Sequence, residues 1–353
     1  MANLLLMPAK SDDFVKKVAA FDALSPAARA HLKSLKGKKV IGVRAVHVGQ
    51  GDFTAVRSED GKAVFYFDVG GGCHAGSRSY PWHRTKTPAR TLGACFEHSL
   101  SPYVFLSHWD HDHWFSAENL TAIAQSHFIA PRQMIAPSHL KTKQRIMPNV
   151  RLWPRDEKIV EIQLTTGHGL LIESCSGDEG GDPNHSGLAL TLVRYKQRVV
   201  RSTGALSVAV HKDAASITHA RYRELILLPG DAPYHYVRSL GNQALRDGGR
   251  YIGLLAYHHG SQSEWSSATA YAPTANANTH RAGYTYGIKP DNKGCYSSMP
   301  GSDAVQGMKD KGWTDRKNTS GAAPLLSALN DQRELDPPRT TPVQEGDIDI
   351  EFP

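Results

Sequence analysis

Residues 108–113 read His-Trp-Asp-His-Asp-His, five metal-type side chains in six positions. Imidazole nitrogens and carboxylate oxygens crowded into so short a stretch suit a divalent cation. As part of a core, each would need its own partner, and a solvated face would more naturally use lysine and glutamate. The cluster follows the run Tyr-Val-Phe-Leu-Ser at 103–107, which has the character of a buried strand. Two later places repeat the arrangement. Leu-Ile-Leu-Leu-Pro-Gly-Asp ends at Asp231, and Ile-Gly-Leu-Leu-Ala-Tyr runs into His258-His259-Gly260-Ser261. A Gly-Asp pair after a strand is on its own just a turn. Three apolar strands that each deliver ligand-type residues at their carboxyl ends make a site, because open sheets gather ligands there. The residues alone leave open whether Asp110 or His111 joins His108, and which of His258 and His259 faces the site.

The elements that must position these groups are mostly strands. Runs with period-2 character at 40–47, 53–57 and 63–69 open the main body, with Asp60-Gly61 as a hairpin turn between the last two. Further strands are predicted at 103–106, 159–164, 188–195, 199–210, 225–228 and 252–256, and helices at 117–126 and 234–245. Strands mixed with helices predict sheets covered by helices, an α/β layered architecture. Ahead of them, 1–39 reads as a helical N-terminal cap, with Ser25-Pro26 as an N-cap and N1 pair. A sharper reading makes it an arm that docks a protein partner or a membrane surface. The main domain spans 40–336; its part beyond Ser266 turns to Ala, Thr, Asn, Gly and Ser and is predicted to be loop-rich, and 337–353 is predicted to be a loosely held tail.

Bulk properties bound the function. The chain has 353 residues, a net charge of +7 and 18 histidines, and its 40% hydrophobic and 21% charged fractions are those of a soluble globular protein. It has no apolar run of the ~20 residues a membrane span needs, so membrane insertion is not expected. The short apolar stretch Leu4-Leu5-Leu6 lacks a basic segment before it, a poor signal peptide, and a cytoplasmic location is expected. Cys73, Cys95, Cys175 and Cys295 are far apart and form no CxxC pair, so they read as reduced thiols. Positive charge favours polyanionic partners. Nucleic acid is further suggested by the basic runs Lys141-Thr-Lys143-Gln-Arg145 and Arg194-Tyr-Lys196-Gln-Arg198, and by Trp109, Trp114 and Tyr257, which would stack bases. The plain readings are solvated strand faces and aromatic walls beside the site.

The order His-x-Asp-x-Asp-His, Gly-Asp, His-His-Gly-Ser resembles the metallo-β-lactamase superfamily, in particular the ComEC-like nuclease domain and its stand-alone relatives. His47-Val-Gly-Gln-Gly-Asp52 and Phe67-Asp68-Val-Gly70-Gly resemble that subfamily's opening hairpin. The resemblance runs from about 40 to 321, through Tyr284-Thr-Tyr-Gly287, Asn292, Pro300, Ala304, Gly312-Trp313 and Thr319. It implies a four-layered αββα sandwich of two mixed sheets flanked by helices, with metals at one edge. His108 and Asp110 would then bind a first metal, and Asp112, His113 and His259 a second, with Asp231 between them. His111, His258, Ser261 and Asp68 would stand around the ligands, Asp68 as a brace. Asp52 would line the edge, a plain hairpin turn being an equal reading. The segment Asp182-Pro-Asn184-His185 would supply either a further ligand, His185, or a polar support, Asn184. Asp110 stands where the superfamily usually has histidine, and its harder oxygen shifts preference from Zn²⁺ toward Mn²⁺ or Mg²⁺. The activity implied is two-metal-dependent hydrolysis by a phosphodiesterase or nuclease acting on DNA, in which a hydroxide shared by the metals attacks and Asp112 and Asp231 orient it. Alternatives are a metallo-hydrolase of a small molecule (a cyclic nucleotide, lactone or thioester) and a metal-stabilised binding module without activity. One departure bears on the substrate: the family's His-Pro is Met299-Pro300 here.

Overall fold

A computed structural model of the chain describes residues 35, 37–46, 48, 51–71, 103–133, 146, 149–153, 158–178, 181–196, 207–261, 269–285, 301–318 and 347–353. Most of the expected N-terminal cap lies outside these residues. So do His47, Gly49, Gln50, the basic run at 141–145, Gly287, Asn292 and Met299-Pro300.

The strands are β1 (Val40–Ala45), β2 (Phe53–Ser58), β3 (Ala63–Val69), β4 (Tyr103–Phe105), β5 (His127–Ala130), β6 (Val150–Leu152), β7 (Ile159–Gln163), β8 (His168–Ser174), β9 (Leu188–Tyr195), β10 (Ser207–His211), β11 (Tyr222–Leu228), β12 (Tyr251–Leu255), β13 (Arg281–Tyr284), β14 (Arg316–Asn318) and β15 (Ile348–Glu351). They form a seven-stranded sheet in the order β15-β1-β2-β3-β4-β5-β6 and an eight-stranded sheet in the order β10-β7-β8-β9-β11-β12-β13-β14. Both sheets are mixed. In the first, β3, β4, β5 and β6 run parallel; in the second, β11, β12, β13 and β14 do. Those parallel strands end at common edges, and their ends carry the candidate ligands.

The near-continuous apolarity of strands such as β9 and β11 follows from burial on both faces. Leu188, Leu190 and Leu192 of β9, with Ile226 and Leu228 of β11, pack against Phe65, Phe67, Phe105 and Ile129 of the first sheet. Alternate residues Ala189, Val193, Leu225 and Leu227 face away, toward Leu240, Leu245, Val305, Met308 and Trp313. On the outer face of the first sheet, Tyr66, Val104 and Phe128 pack against Ala117, Ile123 and Ala124 from two short helices, Ser116–Asn119 and Thr121–Ala124. Two sheets thus lie face to face with helical segments on their outer sides. Each fully buried Leu or Ile in the inner layer contributes roughly 1.5–3 kcal/mol of transfer free energy.

The hairpin at Asp60-Gly61 forms between β2 and β3: Asp60 accepts from Ser58 Oγ at 2.6 Å and from Lys62 N at 3.0 Å, and Gly61 takes a φ of +78°. Elsewhere sequence expectation and structure part. The predicted helix at 117–126 is two four-residue helices, broken at Leu120, whose φ/ψ of −126°/112° is extended. The predicted helix at 234–245 is a chain of short turns, Tyr234–Tyr236, Arg238–Gly241 and Gln243–Arg246. Among the described residues beyond Ser266, which were expected to be loop-rich, stand β13, β14 and a nine-residue helix, Ser302–Asp310, whose Val305 and Met308 enter the core. The last residues are not a loose tail. β15 pairs antiparallel with β1, Ile348 and Ile350 are buried, and Asp349 takes a bidentate salt link from Arg44, 2.7 Å to each oxygen. No helix of the described residues is long and apolar enough to cross a membrane.

One carboxyl of the scaffold sets a pH dependence. Glu173 on β8 is wholly buried and accepts from Ser239 N at 2.7 Å and Ser239 Oγ at 2.6 Å. Burial outweighs these bonds and pushes its pKa up from 4.5 to about 7. The folded state therefore holds a proton that the unfolded chain releases. Stability from this group is greatest below about pH 4.5 and is lost as the pH rises through about 7. Glu173→Gln keeps the shape and a carbonyl acceptor but cannot ionise. Urea unfolding in EDTA should show the variant gaining on the native protein by on the order of 2 kcal/mol between pH 5 and pH 8. A constant difference between the two pH values would refute the assignment.

Candidate metal centre

β4 ends at Phe105 and the chain turns through Ser107 into a 3-10 turn, His111–His113, which compresses the ligand cluster against the sheet edge. Ser107 sits at the centre of the packing. Its amide donates to Asp68 Oδ1 at 2.6 Å, its carbonyl accepts from Leu188 N at 2.7 Å, and its hydroxyl lies 3.0 Å from His108 Nδ1 and 3.1 Å from His113 Nδ1. The turn at Asp231 is locked to it. Gly230 has a φ of +59°, and a Cβ there would stand 2.4 Å from Ser107 Cβ, so only glycine allows this approach. Gly70 plays the same part for the other side of the cluster, where a Cβ would meet Asp112 O at 1.6 Å.

Three imidazoles are held from behind through Nδ1. His113 Nδ1 lies 2.9 Å from Asp68 Oδ2, His259 Nδ1 lies 3.1 Å from Thr285 Oγ1, and His108 Nδ1 meets Ser107 Oγ. Each therefore presents Nε2 to a common space. Asp231 stands in that space with its oxygens facing different rings. Oδ2 is 3.6 Å from His108 Nε2, whereas Oδ1 is 3.2 Å from His113 Nε2 and 3.8 Å from His259 Nε2. Asp112 Oδ2 lies 3.2 Å from His259 Nε2. Four groups of the described residues have ligand atoms within 4.8 Å of one another. Two of these triads use the ligands expected from the sequence: His108, His113 and Asp231; and Asp112, His113 and His259. The other two join Asp52 to Asp68 and His113, or to Asp231 and His259.

The fit to cations rests on atoms left without partners. His108 Nε2, His113 Nε2 and Asp231 Oδ1 are buried and make no hydrogen bond. A buried orphan of this kind costs about 1–3 kcal/mol, and three converging orphans suit a ligand that accepts all their lone pairs. Electrostatics point the same way. Burial alone would raise the Asp231 carboxyl, but His113, His258, His259 and His108 outweigh it and hold it well below the usual carboxylate range. Burial would lower His113 and His259; Asp231 with Asp68, and Asp231 with Asp52, pull them well above the ordinary imidazole value instead. The pocket is negative enough to hold positive charge on its rings, and a cation answers the same field.

Backbone strain marks the region. Asp68, His258 and His259 have φ of 60°, 46° and 57°, left-handed values that cost non-glycine residues about 1–2 kcal/mol each. At 258–259 the strained pair turns His259 inward, fully buried, and leaves His258 at 29% side-chain exposure, with Nε2 3.7 Å from Asp231 Oδ2.

The other sequence candidates fall into place around this centre or away from it. Asp110 lies at the rim: its Oδ2 is 3.4 Å from His108 Nε2, its side chain is 49% exposed, and it belongs to neither triad. The facing His108 ring prevails over burial and holds the Asp110 carboxyl below its ordinary value. His111 packs its ring against Trp114 and Phe115. His185 stacks on Tyr236, with ring centroids 4.2 Å apart, and joins neither triad, while Asn184 Oδ1 is buried without a partner. Ser261 is buried and caps the turn by donating its amide to His258 O at 2.8 Å. Asp52, read as an edge or a plain turn, is buried against His259, with Oδ1 3.6 Å from Nδ1, and accepts from the Thr285 hydroxyl.

Two residues of the centre, Ser107 and Thr285, lie in runs singled out in the sequence but carried no predicted role there. Thr285 follows β13, so a fourth strand end joins the pattern; the signal was the short run Arg281-Ala-Gly-Tyr running into a hydroxyl. The aromatics near the site are not base-stacking platforms. Trp109, Trp114 and Tyr257 are buried, and the indoles donate to Pro131 O at 3.1 Å and Trp109 O at 3.2 Å. Arg194 of the second basic run is spent on Glu224, at 2.8 Å. Comparison with family models and with curated proteins finds no match to this chain. The functional reading therefore rests on the centre's own geometry.

Proposed function

We propose that the chain is a two-metal-dependent hydrolase with the αββα sandwich of the metallo-β-lactamase superfamily, similar to the ComEC-like nucleases, and that it cleaves phosphodiester bonds in DNA. The observation that carries this reading is Asp231, wholly desolvated, with one oxygen toward His108 and the other toward His113 and His259. A carboxylate so placed serves two cations better than one.

His108 and Asp231, with Asp110 at the rim, would hold one cation; Asp112, His113, His259 and Asp231 would hold the other. When bound, a divalent pair supplies Lewis acidity toward water and the phosphoryl oxygens. The chain's own residues do the rest. Asp68 and Thr285 fix the rotamers and tautomers of His113 and His259, so that Nε2 is free of its proton at the centre. Ser107 couples His108 to His113, and the sheet edge keeps both dry. His258 and Asp110, the most exposed members, face the side from which a substrate arrives. Three carboxylates, those of Asp110, Asp112 and Asp231, make a hard, oxygen-rich donor set suited to Mn²⁺ and Mg²⁺ as well as Zn²⁺. Phosphate diesters are the substrates such cations serve, and the net charge of +7 favours a polyanion.

Metal analysis alongside a nuclease assay tests this. The purified chain should carry two divalent ions and nick plasmid DNA in Mn²⁺, with activity lost in EDTA and regained on adding metal back. Intact plasmid and intact bis-aryl phosphate with two metals bound would overturn the substrate. Fewer than one metal per chain would overturn the centre itself.

A further inference from the structure

A second feature lies on the same edge of the sandwich. A cavity of about 50 Å³ opens between the ends of β5, β6 and β8 and the start of β9, lined among others by Arg132, Lys158 and Arg238. No described lining residue carries a carboxylate. Lys158 and Arg238 form no ion pair with a described residue, and Arg238 is anchored through Nε to Ser174 O at 2.7 Å and Nη2 to Cys175 O at 3.4 Å. Arg132 is 7% exposed and is anchored through Nε to Trp153 O at 3.1 Å. Glu173, whose charge Arg238 favours, has both oxygens engaged by Ser239. Lys158 and Arg238 thus line a small cavity with no counter-charge among its described lining residues, and an anion there would answer them.

The cavity adjoins the metal centre. Ser186 and Leu188 line it and flank Gly187, where a Cβ would lie 2.5 Å from Ser107 O and 3.5 Å from His108 Cβ. Gln133 ties the two together, accepting from Trp109 N at 3.2 Å and donating to Ser186 Oγ at 3.1 Å. Its size fits about four waters at 10–15 Å³ each, the room of one tetrahedral oxyanion, and it is too small for a nucleobase.

We propose that this cavity is a phosphate subsite, which takes a phosphate of the polynucleotide other than the one cleaved. The substrate part rests on the phosphodiesterase reading; the anion site does not. The Arg238 guanidinium, fixed by two backbone carbonyls, and the Lys158 ammonium give a phosphate charge-assisted bonds. A long anionic substrate is thereby held at two points, and its scissile linkage is placed at the metals by the spacing between them.

The test uses the full chain in EDTA at low salt, where the metals make no contribution. Inorganic phosphate is titrated by calorimetry against the native protein, Lys158→Ala and Lys158→Glu, with melting curves to show that each is folded. One saturable phosphate per chain is expected, weakened about tenfold by the alanine and abolished by the glutamate. A thymidine tetranucleotide should then displace the phosphate. Phosphate that binds equally to all three proteins, or to none, overturns the anion site whatever the metals do. Lys158-dependent phosphate that the tetranucleotide leaves in place makes this a free-anion site and overturns its assignment to substrate.

Discussion

Asp231→Ala should empty both metal positions at once, bringing bound metal from two ions to below one per chain and lowering phosphodiester cleavage by on the order of 10³-fold or more. The size of the effect follows from where the carboxylate stands. A ligand serving one triad alone would leave the other competent, whereas Asp231 Oδ2 faces His108 while Oδ1 faces His113 and His259. The metal-free protein should suffer too. Asp231 is the leading source of positive pull on both His113 and His259, and without it these buried rings lose their counter-charge. Removing one partner of a buried charge pair costs roughly 3–5 kcal/mol. Asp231→Asn separates the two effects, since it keeps volume and one carbonyl oxygen while surrendering the charge. It should fold better than the alanine variant yet bind metal no better. Elemental analysis and a melting curve on the two variants decide the matter. Two metals retained in either would show that Asp231 is a bystander, and the two-cation reading would fall with it.

Asp112→Ala offers a contrast in degree. Its carboxylate approaches His259 and, at 4.0 Å, His113, but not His108. Its loss touches one triad, so one metal should remain.

How much of this was legible in the residues depends on how local the cause was. The ends of β4, β11 and β12 were readable because an apolar run, a turn signal and a metal-type side chain follow one another along the chain. His108, Asp112, His113, Asp231 and His259 come together for that reason. Asp110 and His185 were harder. The family resemblance offered both as ligands, but the turn at 111–113 leaves Asp110 half in solvent, and His185 is drawn onto the ring of Tyr236. Ser107 and Thr285 lay in quoted runs without a role, because a hydroxyl after a strand has no chemical signature of its own; that of Thr285 appears only when β13 is laid beside β12. The same limit explains β15. Asp347 to Glu351 alternate apolar and acidic residues, a weak pattern in a polar stretch, and the strand exists because β1 presents a free edge with Arg44 aimed at Asp349. The broken helices at 116–124 and 234–246 have the converse cause: good local helix formers whose packing against the sheets requires extended residues between turns.

Asp68 carries the second large prediction, and its interest lies in touching no metal. Its two oxygens accept from two different donors, Oδ1 from Ser107 N and Oδ2 from His113 Nδ1. That pairing assigns the His113 proton to Nδ1 and leaves Nε2, an orphan in the centre, with its lone pair available. Asparagine tolerates the left-handed backbone at this position, so Asp68→Asn should fold. It has only one oxygen, however. If that oxygen keeps Ser107, the amide NH₂ faces His113 Nδ1, which must then accept, and the proton moves to Nε2, where it blocks a ligand. If the side chain flips, the NH₂ opposes the Ser107 amide and the turn carrying His108 shifts. Either way metal affinity should fall about 10–100-fold, the usual cost of losing the group behind a ligating imidazole. In the metal-free protein, at a pH high enough to leave His113 neutral, imidazole nitrogen shifts in the NMR spectrum should show its one proton on Nδ1 in the native chain and on Nε2 in the variant. A purely packing role for Asp68 would leave the tautomer as it was. Unchanged metal affinity together with an unchanged tautomer would remove Asp68 from the centre altogether.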